Sequence, residues 1–277
     1  MEYIEMVCHT SPGVHTSEVL MTMLSDVGFE SFSENDNGTL SAFIQAPLFT
    51  PDLSARLSTE EFSEFLDSFH IERIADQNWN AVWESQYEPV LIDDRCMVRA
   101  PFHPEKSGVE FDIVIMPKMS FGTAHHETTK QMIQYLLSLQ LTGKSLLDMG
   151  SGTAVLAILA RMKGAFPVTA IDNDEWAYNN ALENVESNDF ADIEVLMGDS
   201  SLLPGKSFDI ILANINRNIL LNDIPAYRKS LNAGGKLFMS GFYSEDLPLI
   251  EAKCNESGLT IMSHRSENNW TAVCFTL

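Results

Sequence analysis

Positive charge is what this chain has least of. Seventeen Lys and Arg face 39 Asp and Glu, a formal charge of −22 at neutral pH. Nucleic-acid binding needs a stripe of basic side chains to neutralise phosphates, and so acidic a chain has little to build one from. An anionic membrane surface is disfavoured for the same reason. Cysteine is also scarce. Cys8, Cys96, Cys254 and Cys274 lie far apart with no Cys-x-x-Cys pair, which fits neither a disulfide framework nor a zinc site. No run reaches the ~18 apolar residues of a membrane-spanning helix. The most apolar stretch, Leu146 to Ile171, is broken by Asp148, Arg161 and Lys163. The opening residues, MEYIEMVCHT, lack the basic and apolar regions of a secretion signal. These absences predict a cytoplasmic protein that binds neither nucleic acid nor membrane. The acidity itself leaves two readings open, plain solubility or attraction of a cationic partner.

What is present suits two unequal domains, the usual expectation for 277 residues. Residues 1–76 read as strand Tyr3–Cys8, helix Ser17–Val27, strands Phe29–Glu34 and Thr39–Gln45 around the turn Asn35-Asp36-Asn37-Gly38, helix Thr59–Phe69 and strand His70–Ala75. That order, βαββαβ, predicts a small ferredoxin-like α/β domain. In Asn78–Glu88, Trp79, Trp83 and Tyr87 recur every four residues, one stripe of a helix. Its place between two self-contained patterns predicts a linker helix over 77–89.

Residues 90–277 begin with short strand-like runs and a helix at Thr128–Gln140. Seven strands follow, at Ser145–Met149, Val168–Ile171, Ile193–Met197, Phe208–Ala213, Lys236–Gly241, Thr260–His264 and Thr271–Thr276. Helical stretches Val155–Lys163, Glu175–Ser187, Ile219–Leu231 and Glu245–Ser257 are interspersed among them. Strands alternating with helices predict a mostly parallel, doubly wound sheet. The last two strands are too close for a helical crossover and should pair antiparallel.

The chemistry concentrates at the carboxyl ends of these strands. Asp148-Met149-Gly150-Ser151-Gly152-Thr153-Ala154 closes the first strand and opens a helix. Gly150 and Gly152 allow a tight turn and close approach to a ligand. A dinucleotide fingerprint would need glycine at position 155, which is Val155. The spacing instead resembles the S-adenosylmethionine loop of class I methyltransferases. Asp172 ends the second strand, 20 residues past Gly152, where a carboxylate can accept bonds from two ribose hydroxyls. The plain alternative for such an Asp is a helix cap, for which Asp174 is better placed. Asp199 follows the third strand, where class I enzymes often hold the adenine amino group. Asn214 ends the fourth, at the position that faces the transferred methyl in that superfamily. It is followed by Ile215-Asn216-Arg217 rather than by the Pro-Pro-aromatic clamp used for planar nitrogens.

Ser120-Phe121-Gly122-Thr123-Ala124-His125-His126-Glu127-Thr128-Thr129 closely resembles the Phe-Gly-Thr-Gly-x-His-x-Thr-Thr signature of the bacterial PrmA family. That family methylates protein eleven of the large ribosomal subunit. The resemblance implies a seven-stranded, Rossmann-like class I methyltransferase domain behind the small α/β domain, with S-adenosylmethionine as methyl donor. It implies cofactor contacts at Thr129, Gly150, Asp172 and Asn214, and a loop of Phe121, Gly122 and Thr123 over the methionine part. Its substrate is a small basic protein caught free of RNA, methylated on lysine side chains and the α-amine, and the N-terminal domain would grip it. A class I methyltransferase of another protein or a small amine is the alternative. Ala124 and Ala154 stand where the family has glycines, which predicts a narrower pocket. The pair His125-His126 has no third partner at ligand spacing, so His126 is expected to fix the loop rather than bind metal. Asn214 is expected to orient the amine as the catalytic residue, without acting as a base.

Overall fold

The computed structural model describes residues 3–10, 16–35, 38–74, 87–118 and 120–277. They fall into two units, Met1–Gln86 and Tyr87–Leu277. In the smaller unit, strand β1 (Tyr3–Thr10) alternates Ile4, Met6 and Cys8 inward. It pairs antiparallel with both β3 (Leu40–Gln45) and β4 (Leu66–Ile74), while β2 (Ser31–Glu34) pairs with β3. The order β2-β3-β1-β4 is the ferredoxin-like arrangement that the element order predicts. Leu20 and Leu24 of helix Thr16–Asp26 share its core with Leu57, Phe62 and Leu66.

The second helix is displaced from expectation. Instead of Thr59–Phe69, the chain forms Pro51–Leu57, a single turn Glu60–Ser63, and then β4 from Leu66. The Thr50 hydroxyl accepts from the Leu53 amide at 3.2 Å and Pro51 opens the helix, a start signal that the later run of phenylalanines masks. Leu66 and Phe69 then pack into the core from a strand. Most of the expected linker helix, at 77–89, lies outside the described residues, and Tyr87–Pro89 carry no regular structure.

The larger unit is built on seven strands: β8 (Leu146–Met149), β9 (Val168–Asp172), β10 (Glu194–Met197), β11 (Phe208–Asn214), β12 (Leu231–Tyr243), β13 (Thr260–Glu267) and β14 (Trp270–Thr276). Their order is β10-β9-β8-β11-β12-β14-β13. All pairings are parallel except those of β14, which runs antiparallel to β12 and β13. Successive strand residues enter opposite cores. Leu146, Ala170, Leu212 and Phe238 pack with Met132, Ile133 and Val155. Leu147, Ile171, Ile211 and Leu237 pack with Leu220, Ile224 and Ile250. Burial on both faces is why these strands read as continuous apolar runs. The order reverses between β8 and β11, and the crevice beyond the carboxyl ends at such a switch point is where open α/β sheets bind ligands.

Three further strands, β5 (Val90–Ile92), β6 (Cys96–Arg99) and β7 (Phe111–Val114), form a separate sheet. The chain beyond β7 is clamped by asparagines spaced i, i+4, i+8 along helix Glu175–Ser187 and its cap. Asn180 donates to the Met116 carbonyl at 3.2 Å, and Asn184 accepts from the Met116 amide at 2.9 Å. Asn188 accepts from the Val114 amide at 2.9 Å and donates to its carbonyl at 2.6 Å. Asn184 also donates to the carbonyl of Thr153 at 3.0 Å, so one buried amide joins β7's extension to the glycine loop. Asn184→Ala should lower the unfolding free energy by roughly 2–4 kcal/mol, since it strands two buried backbone groups. Urea denaturation of the variant measures this.

Candidate active site

The turn after β8 needs its glycines for its own packing. Gly150 has φ +69°, and an added Cβ would overlap Cγ2 of Ile215. Gly152 has φ +53°, and its Cβ would overlap the carbonyl oxygen of Phe121. Ile215 is wedged from the other side by Gly241, where a Cβ would strike the Ile215 carbonyl. Asn214-Ile215 at the end of β11 is thereby seated against the turn after β8.

The signature loop closes over the same turn. The Thr153 amide donates to the Phe121 carbonyl at 3.0 Å, and the Thr153 hydroxyl donates to the Gly122 carbonyl at 2.7 Å. Phe121 itself is half exposed. The Thr123 hydroxyl is within 3.1 Å of His125 Nδ1, and His125 Nε2 is 2.9 Å from the Glu88 carbonyl. His126 caps helix Glu127–Ser138, its Nδ1 accepting from the Thr128 amide at 3.3 Å. Each histidine therefore fixes the loop, as expected of His126. Among the described residues no three His, Cys, Asp or Glu converge as a metal site would require.

Acid groups line the strand ends. Asp172 accepts from the Gly152 amide at 2.8 Å and from the Asp174 amide at 3.0 Å, so it is engaged with the loop rather than standing free. Each of its oxygens keeps a second lone pair. Asp174 is the helix cap, accepting from Ala177 at 2.9 Å. Asp199 is exposed beyond β10 and accepts from the Ser201 amide at 2.8 Å. Hydrogen bonds from Ser201 hold its carboxyl below the ordinary range. Asp148, buried beneath the loop, accepts from the Ala157 amide at 3.2 Å. Burial pushes its carboxyl up to about 7, opposed by that bond and reinforced by the charge of Asp172.

Predicted residues thus meet in three groups: Phe121 with Gly152, Asp172 with Gly152, and Thr129 with Asn214, whose Nδ2 donates to the Thr129 hydroxyl at 3.3 Å, while Gly122 is held by Thr153. Asp199 stands apart at its own strand end. Sequence reasoning named Asp148, Thr153 and Ile215 only as members of motifs, without a role, and passed over Trp270. Trp270 packs edge-on against His126 at 4.7 Å and at a 37° tilt against Tyr243 at 4.3 Å, an aromatic wall assembled from residues far apart in sequence. The asparagine spacing on helix Glu175–Ser187 was the one missed signal legible in the sequence.

Buried polar atoms without partners gather here. Asn214 Oδ1, Asp148 Oδ1, Ser151 Oγ and Ser120 Oγ are all buried and unpaired. Each such atom costs about 1–3 kcal/mol, and a ligand presenting donors and positive charge would satisfy several at once. This set of oxygen acceptors fits a cationic cofactor.

The profile of the family described as ribosomal protein L11 methyltransferase (PrmA) matches residues 7–277. The ribosomal protein L11 methyltransferase of Bacteroides fragilis is 47% identical over 281 residues and covers the whole of both chains. That of Porphyromonas gingivalis is 47% identical over 262 residues, 94% of this chain and 90% of its own. Among solved structures, ribosomal protein L11 methylase from Lactobacillus delbrueckii subsp. bulgaricus matches with a TM-score of 0.64 at 26% identity, across 68% of this chain and 98% of that one.

Ala124 and Ala154 have φ of +68° and +63° and are buried, so each carries the cost of left-handed backbone. Ala154→Gly should raise stability by up to ~1 kcal/mol, because relief of strain exceeds the added chain entropy. Thermal melts of Ala154→Gly, and of Ala124→Gly beside it, check this. Asp148 holds its proton more tightly folded than unfolded, so its contribution falls as pH rises from about 4 to about 7. Asp148→Asn should flatten that part of the stability profile of the ligand-free protein, measured by denaturation at pH 5 and pH 8.

Proposed function

The chain belongs to the ribosomal protein L11 methyltransferase family, and from that premise we propose how its residues carry out amine methylation. It is an S-adenosylmethionine-dependent methyltransferase acting on ribosomal protein L11. When bound, the cofactor supplies an electrophilic sulfonium methyl. Gly150, Gly152, Thr129, Phe121, Gly122 and Thr123 would hold it. Asp172 would accept from its ribose hydroxyls and Asp199 from its adenine amino group. Positive charge on the cofactor would favour the ionised form of Asp148.

The nucleophiles are lysine side chains and the α-amine of L11. A lysine of ordinary pKa near 10.4 is neutral about once in 2,500 at pH 7, equivalent to roughly 4.6 kcal/mol. The site therefore has to favour the free base, and desolvation does so. A carboxylate at position 214 would stabilise the ammonium. The neutral Asn214 amide does not, yet its oxygen can accept an N–H from the amine and aim the lone pair. The observation that carries this reading is that oxygen, buried and unpaired, on an amide fixed through Thr129. The proton leaves to water before attack.

The N-terminal unit grips L11 while it is free of RNA, in the cytoplasm, and the protein's acidity draws the basic substrate in. Asn214→Ala should cut methyl transfer about a hundredfold while weakening S-adenosylhomocysteine binding far less, the two measured separately. Full transfer in that variant would refute the orienting role. Mass spectra of L11 after reaction should place the added methyls on lysines and the α-amine. The kcat/KM should fall steeply between low and physiological salt, and a flat response would argue against steering.

A further inference from the structure

The chain enters the larger unit at Tyr87, and two histidines from different loops fix it there. The connection between β6 and β7 supplies the first. His103 Nδ1 accepts from the Ala100 amide at 3.1 Å, so the neutral imidazole carries its proton on Nε2, which donates to the Tyr87 carbonyl at 2.6 Å. His103 is itself anchored, its carbonyl accepting at 3.0 Å from Arg99, a buried side chain paired with Asp112. The signature loop supplies the second histidine. A carbonyl can only accept, so His125 Nε2 donates to that of Glu88 at 2.9 Å.

Proton directions then follow around a closed circuit. The neutral His125 imidazole leaves Nδ1 unprotonated, and the Thr123 hydroxyl donates to it at 3.1 Å. Thr123 also hydrogen-bonds the Tyr87 hydroxyl, and with its one proton committed to His125 it accepts there. The circuit runs from Tyr87 Oη through Thr123 and His125 back to the carbonyl of Glu88, the next residue. The Tyr87 ring packs edge-on against His125 with centroids 4.9 Å apart, and nearly parallel to His103 at 6.1 Å. Among the described residues no amide of residues 121–125 donates to a backbone carbonyl. The loop is held instead by Thr153, at Phe121 and Gly122, and by this circuit, at Thr123 and His125. The left-handed Ala124 lies between the last two.

We propose that Tyr87 is a positioning residue for the cofactor, seating Thr123 and His125 so that the signature loop keeps its place over the methionine part. The assignment rests on the reading of that loop as part of the cofactor site. Displacing Tyr87 withdraws the partners of Thr123 and His125 together, and Ala124 has no conformational preference that would hold the loop without them. Because Tyr87 is also where the chain arrives, grip on the cofactor and seating of the chain form one equilibrium. Linkage makes the effect reciprocal, so bound cofactor holds Tyr87 and Glu88 in turn.

The test uses the full-length protein with Tyr87→Phe, which keeps the ring and removes the hydroxyl, with His125→Ala at an exposed position, and with both. Calorimetry reads affinity for S-adenosylhomocysteine, and mass spectrometry reads amide exchange in the loop. Each single variant should weaken binding about three- to tenfold, the range of one lost hydrogen bond. KM for S-adenosylmethionine should rise with kcat within about twofold, and exchange should quicken in the loop but not in β11. The double variant should bind no more weakly than the weaker single one, since a circuit is broken only once. In the parent, S-adenosylhomocysteine should slow exchange at Glu88 as well as in the loop. Unchanged affinity and exchange in both single variants would overturn the role of Tyr87, as would losses that add in the double variant. A parent that binds no S-adenosylhomocysteine, while Tyr87→Phe still quickens loop exchange, would refute the cofactor reading and leave the seating of the loop by Tyr87 standing.

Discussion

Thr153 holds the active centre together. Its amide and hydroxyl donate to consecutive carbonyls of the signature loop, and its own carbonyl accepts from Asn184. Three segments that are strangers in sequence, the loop before helix Glu127–Ser138, the turn after β8 and the helix after β9, meet at one residue. Gly152 makes this possible, because any side chain there would occupy the space of the Phe121 carbonyl. The glycines of such a turn are commonly explained by the ligand they admit. In this chain they are first required by the protein's own backbone.

The same logic explains the position of Asn214. Its amide reaches Thr129 because Ile215, next in sequence, is seated between Gly150 and Gly241. The Asn214 amide is thus placed by close packing of backbone against two glycines, which leaves its Oδ1 buried without a partner. Asp172 and Asp148 share in it, since each anchors an amide of the loop or of the helix that follows. Their charge is available to a cationic ligand only because the loop they support is already fixed.

Much of this was legible in the sequence, for identifiable reasons. The seven strands, their alternation with helices and the antiparallel β13–β14 pair followed from apolar runs and connection lengths. The residues at the strand ends followed from the order of glycine turn, acid, acid and amide. The helix Pro51–Leu57 was obscured because Thr50-Pro51 is a short signal beside a longer apolar one. The partners of Thr153 were illegible because they depend on which loops the sheet brings together. Trp270 and His126, 144 positions apart, could be paired only by the fold. The left-handed backbone at Ala124 and Ala154 left only an oblique trace, the missing glycines.

Those two alanines give the loops a particular mechanical character. An alanine prefers almost any other backbone region to the one it occupies here, and both sit in segments tied through Thr153. Once those ties break, neither segment has reason to linger near its closed geometry. The closed geometry of these loops therefore depends on the Thr153 ties more heavily than it would with glycine at the two positions.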